Sequence, residues 1–526
     1  MTPRHPTTAV TIQDESRLAE LGYKQELRRD WTVLHNFGVS FSIISVITGI
    51  TTLFSYGLNT GGPAVMTVGW IVVSLMTFIV GLSMAEIVSA IPTSGGPYFW
   101  AATLAPKQHA PFLSWVTGWF NFVGQFAVTT GISFGCAGLI ATAASIKTGY
   151  TATPGQTLGI YAAILVSHGM VNTFGVRVLK YLNNSSIILH SLGVGSLAIA
   201  VVAKAPTHRS AAEVFQHFYD GTGSSPSIGW SVRASPAYVA ICGILLSQYT
   251  ITGFDASAHL SEETHRAAWS APIGVLMSIS VSAIFGFFLL LCLLFSIQDF
   301  SATIDPSQNY GEPVFKILVD VFGADGALVL IALIILCVWH CGLFSLTSNS
   351  RMMFAFSRDG ALPRFFDHVD KKYHSPTRTV WLAAFLAFCL SLPSLGSEVA
   401  FSAATSIATI GLYISYALPI AIAVVWPGGF VKGPFDLGVL SWPVGVVAVG
   451  WVLFITVVFC LPTANPVTSQ TLNYTPVAVG IVAVATLSSW VLWARRWFQG
   501  PMRQVDIDQA ESPAEVEGVV TQVEKK

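Results

Sequence analysis

Two stretches of this 526-residue chain place glycine and hydroxyl groups inside otherwise apolar runs. The first reads Phe41-Ser42-Ile43-Ile44-Ser45-Val46-Ile47-Thr48-Gly49-Ile50-Thr51-Thr52. The second reads Ser247-Gln248-Tyr249-Thr250-Ile251-Thr252-Gly253-Phe254-Asp255-Ala256-Ser257 and adds a carboxylate. A helix broken at membrane depth leaves N–H and C=O groups without partners, each costing several kcal/mol if it faces lipid. Such groups persist where they line a cavity and meet a ligand, an ion or water. The free N–H groups that open a half-helix favour an anion. On that basis the segment starting near Thr48-Gly49-Ile50 is a candidate carboxylate cradle. Carbonyls freed around Ser45 and around Tyr249-Thr250 are candidate ammonium acceptors. Gly253 leaves room, and Phe254 is placed to close over a bound solute. The plainer reading is that Gly49 and Gly253 only allow helices to pack closely; the matched pair of breaks argues against it.

Other polar residues fall within reach of such a site. Asp255 follows the second break, where it reads as a helix cap accepting from orphan N–H groups; the alternative is a partner for a substrate amine. Asn121 and Gln125 are four residues apart and share a helix face, with hydrogen bonding between helices as the competing role. His190 lies within a span and titrates near neutral pH, which makes it a proton-relay candidate; a packed neutral ring is the alternative. Ser345 and Ser348 are candidate sodium ligands, against hydroxyls that bond back to their own helix. Ser406 and Thr409 are candidate cavity lining. Glu86, Arg351, Arg358 and Asp359 sit near the inner ends of two spans and read as ion pairs of a cytoplasmic gate, against simple topology control by basic residues.

The elements that must hold these groups are helices in a bilayer. Hydrophobic residues make up 53% of the chain, charged residues 10%, and mean hydropathy is +0.63. A soluble protein carries about a quarter charged residues, so this composition calls for a lipid-facing surface. Twelve apolar stretches approach the roughly 20 residues needed to span: 34–59, 63–90, 112–140, 156–174, 183–204, 236–260, 272–297, 325–352, 379–394, 399–425, 441–461 and 474–494. We number them spans 1 to 12. With the N-terminus inside, the inner segments hold 21 of the 26 Lys and Arg, as the positive-inside rule requires. Both termini are then cytoplasmic. Residues 1–33 form an N-terminal tail, 34–494 the membrane domain, and 495–526 a polar C-terminal tail that reads as disordered. The breaks fall in spans 1 and 6, at corresponding positions of two halves, about 34–204 and about 236–425, which is the pattern of an inverted-repeat transporter. The seven cysteines lie in apolar segments without C-x-x-C spacing, so neither disulfides nor a zinc site is indicated. No nucleophilic cluster, phosphate loop or nucleic-acid surface is present in the pattern. Neither an enzyme nor a nucleic-acid binder is therefore expected, and no cofactor or metal beyond H+ or Na+ coupling. A channel would need a continuous polar pore, which no span supplies.

Three motifs carry a resemblance. Ala85-Glu86-Ile87-Val88-Ser89-Ala90-Ile91-Pro92-Thr93-Ser94-Gly95-Gly96-Pro97-Tyr98 resembles the signature after helix 2 of the amino acid–polyamine–organocation superfamily. Gly253-Phe254-Asp255 through Ser261-Glu262-Glu263-Thr264 is similar to its helix 6 pattern, and Ser350-Arg351-Met352 through Leu362-Pro363 to its loop after helix 8. Span 1 departs from the superfamily's commoner Gly-Ser-Gly form. The nearest branch is the amino acid/choline group, which includes GABA permeases and bidirectional amino acid transporters. The resemblance implies an all-α membrane protein with a LeuT-like inverted repeat of five helices plus five, two more C-terminal helices, and helices 1 and 6 broken. It implies contact between substrate and Thr48, Gly49, Ile50, Tyr249, Thr250, Gly253 and Phe254. It further implies a secondary active, ion-coupled permease of the plasma membrane for a small amine-bearing solute, with amino acids or GABA foremost. Choline or a polyamine is the alternative, and a transporter-like nutrient sensor a more distant one.

Overall fold

The computed structural model describes residues 9–224, 226–396 and 398–501; the side chains of residues 9–13, 176, 398–406 and 429 lie outside that description. Eleven helices among the described residues are long and apolar enough to cross a bilayer: Val33–Asn59, Gly62–Ala90, Ala110–Thr148, Pro154–Phe174, Arg177–Lys204, Ala267–Phe295, Pro313–Arg358, Thr377–Leu395, Ile407–Val425, Gly438–Val458 and Thr475–Arg496. They correspond to every expected span except span 6. Span 6 is cut into Pro236–Gly243, Leu245–Thr250, Ala256–His259 and Ser261–Glu263, each too short to cross alone. With it the bundle has twelve crossings, the expected all-α architecture.

Packing follows a five-helix offset. Span 1 packs on span 6, span 2 on span 7, span 3 on span 8, and span 4 on span 9. Four of the five helices of the first half thus meet their counterparts in the second. Span 1 is the most enclosed, with 89% of its most apolar window buried, whereas span 12 has 11% buried and lies at the periphery. A helix hydrophobic all round belongs in an interior or in lipid; span 1 takes the interior and span 12 the lipid.

Several boundaries differ from expectation for local reasons. Span 3 runs to Thr148 and is closed by Gly149 in the left-handed region, a glycine stop in place of an apolar-to-polar transition. Span 8 begins at Pro313, with one non-helical residue, Gly323 (φ 68°, ψ 171°), inside it. In span 5 a single π turn, Leu189–Gly193, carries His190; such bulges occur often at functional sites. Ahead of span 1, helix Ala9–Glu20 and the segment up to Trp31 lie against the end of the bundle that also carries the loops after spans 2, 6 and 8.

Candidate functional site

Span 1 breaks at Ser45, three residues before the expected Thr48. Helix 1a (Val33–Ile44) ends and helix 1b (Val46–Asn59) begins there, with Ser45 at φ 31°, ψ 76°. A non-glycine residue in this region costs roughly 1–2 kcal/mol. Side-chain bonds hold it in place: Ser45 Oγ lies 2.6 Å from Thr48 Oγ1 and 2.8 Å from His190 Nε2. The shift changes which amides are free. Thr48 N–H and Gly49 N–H donate to the Ser45 carbonyl at 2.8 and 3.2 Å. The free amides therefore lie two residues earlier than expected, at Val46 and Ile47, which open helix 1b and have no acceptor within it.

Span 6 breaks where expected. Helix 6a (Leu245–Thr250) ends, residues 251–255 run without helix, and 6b starts at Ala256, with Gly253 at φ 97°. Ile251 N–H takes the Ser247 carbonyl, and Thr252 Oγ1–H takes that of Gln248 at 2.6 Å. The carbonyls of Tyr249 and Thr250 are left as the last of the helix, without a helical donor. Beyond the break, 1a and 6b are stitched together. Ser40 Oγ–H donates to the Phe254 carbonyl at 3.2 Å, Ser257 N–H donates to Ser40 Oγ at 3.0 Å, and Asn36 Nδ2–H donates to the Ser257 carbonyl at 3.0 Å.

A cavity of about 20 Å³ sits between the two breaks. Ile43, Ile44, Thr48, Gly49, Tyr249, Thr250, Thr252 and Thr409 line it, with Val128, Ile132 and Cys341 from spans 3 and 8. It contains hydroxyls and backbone but no carboxylate. Its volume is that of one water, so the site is closed tightly around itself. Gly49 makes this closure possible: a Cβ there would stand 2.7 Å from Thr250 Cα. Ile50 is fully buried but not in the lining. Side chains at Ser406 lie outside the described residues.

Phe254 is buried and packs on Tyr413 and Tyr416, centroids 6.3 and 5.2 Å away, forming an aromatic floor beside the cavity and not a wall of it. Asp255 does not cap 6b; its side chain takes no amide hydrogen from that helix. Its own φ and ψ are helical (−65°, −15°), which turns the carboxylate away from the N-terminal amides. Instead Gln125 Nε2–H donates to Asp255 Oδ2 at 2.7 Å, and His259 Nε2 lies 3.3 Å from the same oxygen. His259 Nδ1 faces the Ser94 carbonyl at 2.8 Å and so carries a hydrogen there. Asn121 Nδ2–H donates to Ser415 Oγ at 3.0 Å, so the helix 3 pair reaches spans 6 and 10 and not the cavity.

His190 is satisfied as a neutral ring. Its Nδ1 meets the Ser186 carbonyl at 2.9 Å, leaving Nε2 to accept from Ser45 Oγ–H. Ser345 Oγ pairs with Thr129 Oγ1 of span 3 at 2.9 Å, not with a span 1 carbonyl. Ser348 Oγ is buried without a partner. The Ile43 carbonyl of span 1 is taken by Cys341 Sγ at 3.1 Å.

The end of the bundle nearest the N-terminal segment is shut by buried ion pairs. Arg358 donates twice to Glu262, at 3.0 and 2.9 Å, and Arg351 Nε–H donates to Glu263 Oε1 at 2.7 Å. Asp359 accepts from the hydroxyls of Tyr23 (2.6 Å) and Tyr98 (2.9 Å). Arg358 also stacks on the Tyr23 ring, 3.9 Å from its centroid. Burial, and then the Asp359 carboxylate, hold the Tyr23 phenol well above its ordinary pKa, so it remains a donor. Gln25 and Arg29 tie the N-terminal segment to the carbonyls of Glu262, Ser261 and Thr264. Glu86, expected in this cluster, lies elsewhere. It accepts from Ser441 Oγ–H (2.6 Å) and Leu437 N–H (3.2 Å), with Lys432 Nζ at 3.5 Å, and so anchors the loop between spans 10 and 11. The carboxylates that do pair with Arg351 and Arg358 come from Ser261-Glu262-Glu263-Thr264. Two adjacent acids closing an apolar span were the available signal.

An all-helical bundle with two central spans interrupted at matching positions, enclosing a small cavity lined by aliphatic and hydroxyl side chains and closed at one end by ion pairs, has the build of a solute permease. The sequence profile described as amino acid permease matches residues 34–484. The chain is 47% identical over 505 residues to "Amino-acid permease BAT1 homolog" of Oryza sativa subsp. japonica, covering 93% of this chain and 96% of that protein. It is 43% identical to "Amino-acid permease BAT1" of Arabidopsis thaliana, with the same coverage. It is 30% identical to "GABA-specific permease" of Saccharomyces cerevisiae, covering 95% and 88%. The chain belongs to the amino acid permease family: it is a multi-pass membrane transporter for amino acids and not an enzyme.

Proposed function

We propose that this permease is a secondary active transporter of GABA and related zwitterionic amines, working by alternating access and coupled to H+ or Na+. The observation that carries the reading is the cavity between the two breaks, whose lining holds threonine hydroxyls and the last residues of 6a but no carboxylate, with the opening amides of 1b, at Val46 and Ile47, falling between its lining residues Ile44 and Thr48. A zwitterion needs donors for its carboxylate and acceptors for its ammonium. The opening amides of 1b supply the first, and the last carbonyls of 6a supply the second. An organic cation such as choline would call for acidic or aromatic walls. Asp255 lies outside the cavity lining, its Oδ2 held by Gln125 and His259.

The cavity holds one water at most, so substrate entry requires 1b and 6a to move apart from spans 3, 8 and 10. The Arg358–Glu262 and Arg351–Glu263 pairs hold the opposite end shut and must break for release on that side. That side is the cytoplasm in this reading, because the loops there carry most of the Lys and Arg, and the membrane is the plasma membrane. The test is uptake into proteoliposomes of radiolabelled GABA, a panel of amino acids, choline and spermidine, with and without proton and sodium gradients. Saturable, gradient-driven uptake of GABA or an amino acid is expected. Movement of choline or spermidine alone would overturn the zwitterion reading.

A further inference from the structure

On the face of the bundle that carries the N-terminal segment, a cavity of about 830 Å³ opens between three separate pieces of chain. Arg28, Asp30 and Trp31 form one wall, the turn from span 4 into span 5 a second, and residues 372–374 a third. Each wall contributes cations. Arg28 is neutralised by Asp30 at 2.5 Å, but Arg177, Lys180 and Lys372 have no carboxylate within 4.0 Å among the described residues. The only other acid in the lining, Glu263, is committed to Arg351.

The walls are fixed in advance. Asp370 Oδ1 accepts from Lys372 N–H and Tyr373 N–H at 2.8 and 2.9 Å, closing the turn that presents Lys372. Ser375 Oγ–H donates to the Asn172 carbonyl at 2.8 Å, and Tyr373 packs edge-on against Phe174 at 5.1 Å, which locks that turn to the end of span 4. Trp31 N–H donates to the Glu263 carbonyl at 3.0 Å. Topology control by positive charge needs basic residues on this side but does not need three separate segments to aim them into one prebuilt cavity.

We propose that this cavity binds the phosphorylated headgroup of an anionic lipid. Three cations without an ion-pair partner suit a group with at least two phosphate charges, and Arg177 suits phosphate through its planar fork. The volume is that of an organic ligand's site and far exceeds a lone phosphate. The rim continues onto the exposed apolar side chains of Phe174 (58%), Val178 (49%) and Tyr181 (72%), which lie where an acyl chain would run along span 5. A bound headgroup touches residues 28–31 and Glu263 together, so it holds the N-terminal segment down on the ion-paired gate.

The site is tested on purified full-length protein in detergent, without any transport measurement, so its failure is separate from failure of the substrate reading. The probes are a fluorescent short-chain phosphatidylinositol phosphate, soluble inositol trisphosphate and ATP. Removing one surface cation costs about fivefold in binding to an anionic headgroup, so Arg177→Gln with Lys180→Gln is expected to weaken the lipid probe about thirtyfold. Lys372→Gln, on a different segment, is expected to weaken it about fivefold. Lys107→Gln with Arg496→Gln, an equal charge change outside the cavity, should leave it unchanged. The lipid probe binding tighter than the soluble ones, with hydrogen exchange slowed at residues 28–31, supports the headgroup. Inositol trisphosphate or ATP binding as tightly as the lipid would overturn the lipid source. Equal loss in the control pair, no loss in the cavity variants, or binding without protection of residues 28–31 would overturn the site.

Discussion

Replacing Gly49 by alanine tests the geometry of the closed site with the smallest change available. The added methyl would stand 2.7 Å from Thr250 Cα, 2.7 Å from Thr250 Cβ and 2.4 Å from Thr250 Oγ1, where ordinary contact begins at 3.4 Å. Thr250 cannot swing aside easily, because its hydroxyl donates to the Leu246 carbonyl at 2.6 Å, and its Cα is backbone. Helices 1b and 6a must therefore part by about 0.7 Å. Overpacking of this kind costs about 1–3 kcal/mol, and the cost falls on the state in which the two half-helices meet. The natural control is Gly138→Ala in span 3, where a Cβ meets nothing within 4 Å; the same change there gains about 0.5–1 kcal/mol of helix propensity. Melting of the purified protein by intrinsic fluorescence, together with GABA or amino acid uptake, reads both effects. Gly49→Ala is expected to melt lower and to transport poorly, and Gly138→Ala to match or exceed the parent. If the two variants behave alike, the close approach of 1b and 6a is not a feature of the working protein.

Three further outcomes follow from the same geometry. Arg358→Gln leaves Glu262 as a buried, uncompensated carboxylate, so it should cost about 3–5 kcal/mol in unfolding stability. Adding Glu262→Gln should recover a large part of that loss, and a strictly additive double variant would show that the pair is not coupled. Gly253→Ala must adopt φ 97° and meets Ile43 Cγ2 at 2.5 Å; a left-handed alanine alone costs about 1–2 kcal/mol, and lowered melting with reduced uptake is expected. His190 bonds only to a carbonyl and hydroxyls, while His259 contacts the buried Asp255 carboxylate, so proton-driven accumulation should survive His190→Gln and fail in His259→Gln, with substrate exchange retained in both. Loss of drive in His190→Gln alone would reverse that assignment.

The architecture was legible because it rests on long apolar runs and loop charge, both of which survive any detail of packing. Span 6 was legible to the residue, since Gly253 supplies the positive φ that the break needs. Span 1 was not. Its glycine at 49 marks a close approach to Thr250, and the left-handed residue is Ser45, held by His190 and Thr48 from two turns of different helices. No local pattern reveals such a tertiary bond. Asp255 shows the same limit: a carboxylate after a glycine reads as a cap, but the helical φ and ψ of Asp255 turn it towards Gln125 and His259. Glu86 and Glu262 both lie at the ends of spans, and only the packing of span 8 against span 6 decides which of them meets Arg358. Tyr23 and Gln25, in a polar leader ahead of span 1, gave no sign that they would help close the gate.

The central claim is that substrate sits between the two breaks, with its carboxylate on the opening amides of 1b and its ammonium on the closing carbonyls of 6a. The direct measurement is a structure of the protein with bound GABA or a transported amino acid. Substrate contacting Val46 and Ile47 N–H at one end and the Tyr249 or Thr250 carbonyl at the other is the predicted result. Substrate bound elsewhere, or with its amine on Asp255, would contradict the account.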